Sequence, residues 1–141
     1  MTLNLMLTSE YAVYLSGDFR LTYKTGSITD DYNTQKLIPV FKFGWGALVS
    51  FAGIAKTSNG LDVGDWIAKQ LHNIPMKAKV ETLSKALLES NTWLSKISPH
   101  QPFIVSVVGF SGRRPFATVL SNFHKTPFLF VQSRACALPS D

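Results

Sequence analysis

Cysteine is almost absent: Cys136 is the only one in 141 residues. No internal disulfide can form, which excludes a disulfide-stapled scaffold and fits a reducing compartment. Blocks of one charge are missing as well. Fourteen Lys and Arg against nine Asp and Glu give a formal net charge of +5, yet only Arg113 and Arg114 are adjacent. With no cluster of cations to track a phosphate backbone, nucleic-acid binding is not expected. Long apolar runs are lacking too. The longest, Phe43 to Ala55, carries three glycines and falls short of the ~18 residues a membrane span needs. The first residues have no basic region, and Asn4, Ser9 and Glu10 interrupt any apolar signal segment. A soluble cytoplasmic protein with no membrane partner is the expectation.

Several chemistries are excluded by what the motifs lack. His72, His100 and His124 are far apart in the chain, so no metal site is expected. No Gly-rich turn precedes Lys-Ser or Lys-Thr, and no Gly-x-Ser-x-Gly elbow occurs. Phe110-Ser111-Gly112 reads as a turn. No cofactor is implied.

What is present is an ordinary globular composition, 45% apolar and 16% charged. A chain of this size fits one domain, residues 1–141, that buries about two-thirds of its unfolded surface. Residues 3–7 suit a largely buried strand. Thr8-Ser9-Glu10 supplies a turn, and residues 11–15, aromatic and β-branched, suit a second strand. Residues 24–34 are polar and read as a loop. Two further strands are expected over 36–41 and 46–51, joined by Lys42–Trp45, with Pro39 demoting the first to an edge or a bulge.

Thr57, Ser58 and Asn59 are helix-capping candidates ahead of a helical pattern over 61–71, where Val63, Trp66, Ile67 and Leu71 recur. Pro75 ends it. A second helix is expected over 77–97, with Val80, Leu83, Leu87 and Leu94 as its stripe, widened by Ala86 and Leu88. Strands follow over 103–110, 116–123 and 128–131, the first two joined by a turn at 111–115. Four strands, two helices and three strands point to an α+β fold of two antiparallel sheets with a two-helix layer.

The chemistry that remains open is that of a terminal hydroxyl. A free α-amine titrates at about 7.7–8.0, so it can act as general base for a hydroxyl on its own residue. Threonine is small enough for initiator-methionine removal, and Thr2 follows Met1 directly. A nearby cation lowers that amine's pKa, and an aspartate holds the cation in place. Backbone N–H groups beside a glycine can stabilise the oxyanion.

In that light the order of residues resembles the proteasome β-subunit family of N-terminal nucleophile hydrolases. The family includes the proteolytic subunit of the bacterial two-component ATP-dependent protease. Gly17-Asp18-Phe19-Arg20 closes the second strand, Thr34-Gln35-Lys36-Leu37-Ile38 opens the third, and Phe51-Ala52-Gly53 precedes the first helix. The resemblance implies Thr2 as nucleophile and base, Lys36 as the cation, Asp18 as its anchor, Arg20 as a brace and the Gly53 N–H as an oxyanion donor. It also implies peptide or protein substrates, a homo-oligomeric ring and an ATP-dependent unfoldase as partner.

The resemblance covers roughly residues 2–131. Family members continue with a Gly-Ser-Gly segment, a long helix and closing strands that residues 132–141 do not resemble. The expected fold is therefore an Ntn-hydrolase-like sandwich without its usual C-terminal helix and closing strands, in a shortened chain. The strand over 103–110 and its partner are then expected to expose apolar surface. Three functions stay open: a threonine-type peptidase, a non-catalytic scaffold or truncated remnant of the same fold, and a small-molecule amidohydrolase.

Overall fold

Strands rich in Val, Ile, Leu and Phe and two amphipathic helices build the molecule in the order β1 (Asn4–Thr8), β2 (Val13–Gly17), β3 (Leu37–Lys42), β4 (Trp45–Ala52), α1 (Val63–His72), α2 (Glu81–Ile97), β5 (Ile104–Ser111), β6 (Arg114–Ser121) and β7 (Leu129–Val131). The computed structural model describes residues 4–17, 36–57, 60–97, 101–122 and 129–131. The architecture is α+β. β1 and β2 form a hairpin, and the other five strands make one antiparallel sheet in the order β3-β4-β5-β6-β7.

Strand alternation divides that sheet into two faces. Directly opposed residues share a face, so the register puts Ile38, Val49, Val107 and Thr118 on one side. Val40, Ala47, Phe51, Val105 and Leu120 belong to the same side, and nearly all of this set is buried against Val63, Ile67, Leu71, Leu83, Leu87 and Leu94 of the helices. Each fully buried side chain of this kind contributes about 1.5–3 kcal/mol, so the helix-covered face is the main core. Phe51 and Phe103 meet toward one end of it with ring centroids 6.2 Å apart. Trp66 of α1 and Trp93 of α2 stack at 4.2 Å and tie the helices together.

The opposite face carries Ser50, Ser106 and Val108, also buried. The β1–β2 hairpin lies there, against β4, β5 and β6. Met6 and Leu15 are partners in its ladder, and Leu15 is buried. The alternate positions Leu5, Leu7 and Tyr14 point away and are exposed. The layers therefore run helices, five-stranded sheet, hairpin.

The expected order of elements holds, with shifted boundaries. The second strand starts at Val13 rather than residue 11. The Ser9 hydroxyl accepts from the N–H groups of Tyr11 and Ala12, and the Ser9 N–H donates to the Ala12 carbonyl, which lengthens the turn. β3 ends at Lys42 and β4 starts at Trp45, leaving a two-residue turn. Pro39 sits exposed on edge strand β3, as its missing N–H requires.

Helix α1 is capped by Asp62, whose carboxylate accepts from the Asp65 N–H at 3.1 Å, not by residues 57–59. The Thr57 hydroxyl accepts from the Leu61 N–H and serves the preceding loop instead. Helix α2 begins at Glu81 rather than near residue 77, because residues 75–80 close turns such as Ala78 N–H to Pro75 carbonyl. The five-residue turn expected at 111–115 shrinks to Gly112-Arg113, with Gly112 at φ +59°. β5 does not expose an apolar surface: Val105, Val107 and Val108 are fully buried, between the helices and the hairpin. Among the described residues no helix is long and apolar enough to cross a membrane.

Candidate functional site

Of the five residues the sequence singles out, Thr2, Asp18 and Arg20 lie outside the described residues. Lys36 and Gly53 are described, and the sheet brings them to one end. The Phe51 N–H donates to the Lys36 carbonyl at 3.4 Å, extending the β3–β4 ladder one pair beyond Leu37 and Ser50. Gly53 follows two residues later, just past the end of β4. Two strands and a two-residue turn therefore carry both residues to the same edge of the site.

Lys36 is only 4% exposed. A lysine so deeply placed is uncommon unless it is partnered, and Lys36 is partnered. Its place in the ladder, two residues before Ile38 and opposite Phe51, is that of the helix-facing set. It sits at the rim of the main core rather than on a solvated edge.

Gly53 has a reason of its own. Its φ is +110°, and a Cβ there would lie 2.9 Å from the carbonyl carbon of Pro102 and 3.0 Å from Cα of Phe103, closer still to the Pro102 oxygen. Only glycine fits such a backbone approach. Gly53 is exposed, and among the described residues no turn or loop hydrogen bond engages its N–H. A donor left in this state can serve an incoming oxyanion.

Two neighbours that sequence reasoning missed hold this end together. Asn122, just after β6, accepts the Phe103 N–H on Oδ1 at 2.8 Å and donates Nδ2 to the Gln101 carbonyl at 2.8 Å. Its backbone N–H donates to the Phe103 carbonyl at 3.2 Å. The side chain thus clamps residues 101–103 where they press on Gly53. An Asn after a strand is too common to flag in sequence; its partners lie in the segment before β5.

The second neighbour is the loop from Gly53 to α1. The Thr57 N–H donates to the Leu61 carbonyl at 3.0 Å and the Val63 N–H to the Ala55 carbonyl at 2.9 Å. Lys56 and Asp62 form an isolated bridge. These bonds tie residues 55–57 to residues 61–63 at the start of the helix.

Among the described residues no group of three or more His, Cys, Asp and Glu side chains is placed to hold a metal ion. Comparison with protein-family models, with curated proteins and with solved structures finds no match.

Proposed function

We propose that the chain is a threonine-type amide hydrolase of the proteasome-like kind, with an Ntn-hydrolase-like sandwich. Thr2, freed of Met1, supplies both the nucleophilic Oγ and the α-amine that takes its proton. Attack on a peptide carbonyl would give a tetrahedral oxyanion facing the Gly53 N–H. Collapse releases the amine product, which takes up the proton, and leaves an ester on Thr2 that water hydrolyses. In this reading Lys36 is the cation that favours the neutral amine, Asp18 anchors it and Arg20 braces that pair. The observation that carries the reading is the placement of buried Lys36 and exposed Gly53 at the same end of β3 and β4. Ring assembly and an ATP-dependent unfoldase belong to the same proposal.

Hydrolysis of fluorogenic peptide amides tests it. Wild-type turnover that Thr2→Ala abolishes, with unchanged circular dichroism, supports the nucleophile. Equal turnover by the two proteins removes it.

A second reading, a non-catalytic scaffold of the same fold, is favoured by one observation: the approach of Pro102 already accounts for the glycine at 53. Native mass spectrometry separates the two, since a closed oligomer without turnover belongs to the scaffold. A small-molecule amidohydrolase would instead cleave acylated small molecules and spare peptides.

A further inference from the structure

The opposite end of the five-stranded sheet brings three segments together around an open depression of about 300 Å³. The Phe43 N–H donates to the Met76 carbonyl at 2.8 Å, and the Gly112 N–H donates to the Gly44 carbonyl at 2.8 Å. The Trp45 indole N–H donates to the Ala78 carbonyl at 2.7 Å. These bonds lock the β3–β4 turn to the β5–β6 turn and to the segment before α2.

The charge at this end is one-sided. Lys77 and Lys79 line the depression together with Ser111, which pairs with Arg114 across β5 and β6, and Arg113 is in the turn between them. All four cations are exposed. Among the described residues Glu81 is the only carboxylate in the lining. Beside the cations, Phe43 is 81% and Met76 62% exposed. Large apolar side chains left in water next to those four cations and that single carboxylate mark a surface that gains from a partner.

We propose that this end of the sheet is a docking surface for an acidic peptide segment of a partner protein. The partner's carboxylates would meet Lys77, Lys79, Arg113 and Arg114, and an apolar side chain would pack on Phe43 and Met76. Charge complementarity selects an acidic partner and speeds encounter. The exposed apolar pair favours a peptide over a polyphosphate, which has no apolar group to bury on Phe43 and Met76, and the cations flank a depression rather than form a track for a nucleic-acid backbone. The surface lies away from Lys36 and Gly53, so it is independent of the proposed reaction.

Fluorescence anisotropy of the full chain with a dye-labelled peptide alternating Glu and Leu provides the test. The same peptide with Gln for Glu and a short oligothymidylate serve as comparison probes. The acidic peptide is expected to bind, with affinity falling as salt rises. The fourfold variant Lys77→Glu, Lys79→Glu, Arg113→Glu, Arg114→Glu should weaken it by roughly tenfold or more. Phe43→Ser alone should weaken it about threefold to tenfold. All these positions are exposed, and circular dichroism checks that the variants stay folded. No binding, equal binding of the Gln peptide, tighter binding of the oligonucleotide, or indifference to the charge variant would each overturn the proposal.

Discussion

At the scale of single residues, Gly53 joins structure to the proposed chemistry. Its positive φ and the approach of Pro102 leave no room for a methyl group. Gly53→Ala should therefore lower stability by about 3 kcal/mol or more, read as a shift of the urea midpoint, because backbone rather than a flexible side chain must move. Asn122 is the matching test on the other side of the contact. Asn122→Ala removes two hydrogen bonds that hold residues 101–103 and should cost about 1–3 kcal/mol in the same assay. The glycine could be picked out in the sequence as the residue ahead of the first helix. The contact that demands it could not, because Pro102 and Asn122 lie about 50 and 70 residues further along the chain, flanking β5 and β6. Lys36 was legible as a polar residue opening a strand, but its burial depends on the layers that close over it.

At the scale of elements, periodicity marks both helices and composition the strands of the described residues, while local hydrogen bonds set where they begin. Asp62, not the hydroxyl residues before it, caps α1. Three candidates in a row could not be ranked without knowing where the loop turns. Asp62→Ala should cost about 1 kcal/mol in thermal or denaturant unfolding. Helix α2 presents the stripe expected of it, with Leu83, Leu87 and Leu94 buried, and it buries Ser90 and Asn91 as well. The Ser90 hydroxyl donates to the Ala86 carbonyl at 2.8 Å. Asn91 Oδ1 is buried with no hydrogen-bond partner among the described residues. Such an atom has lost its water without compensation. Asn91→Leu is accordingly expected to raise stability by about 1 kcal/mol, measured by denaturant unfolding, and a loss of that size would show that the carboxamide is needed.

At the scale of the whole molecule, the α+β class follows from the grouping of elements, and the helix-covered face of the sheet from their apolar spacing. The surplus apolar surface lies elsewhere than the sequence suggests. β5 was expected to be uncovered, yet the β1–β2 hairpin packs on its second face and buries Val108 and Ser106. Exposure passes outward to Leu5, Leu7 and Tyr14 on the far side of the hairpin. The apolar character of the strands is readable in the sequence, but not which sheet shields which, since that depends on how the two sheets stack.

The proposed chemistry depends most on Thr2 standing as a free terminal residue that attacks a carbonyl. Exposing the purified chain to a β-lactone and mapping the product by mass spectrometry tests this directly. Thr2 Oγ opens the lactone ring and becomes acylated, with the whole reagent mass retained. The predicted result is loss of Met1 and a single adduct on Thr2 that Thr2→Ala cannot form. A retained Met1, a blocked amine or an adduct carried only elsewhere would contradict the account.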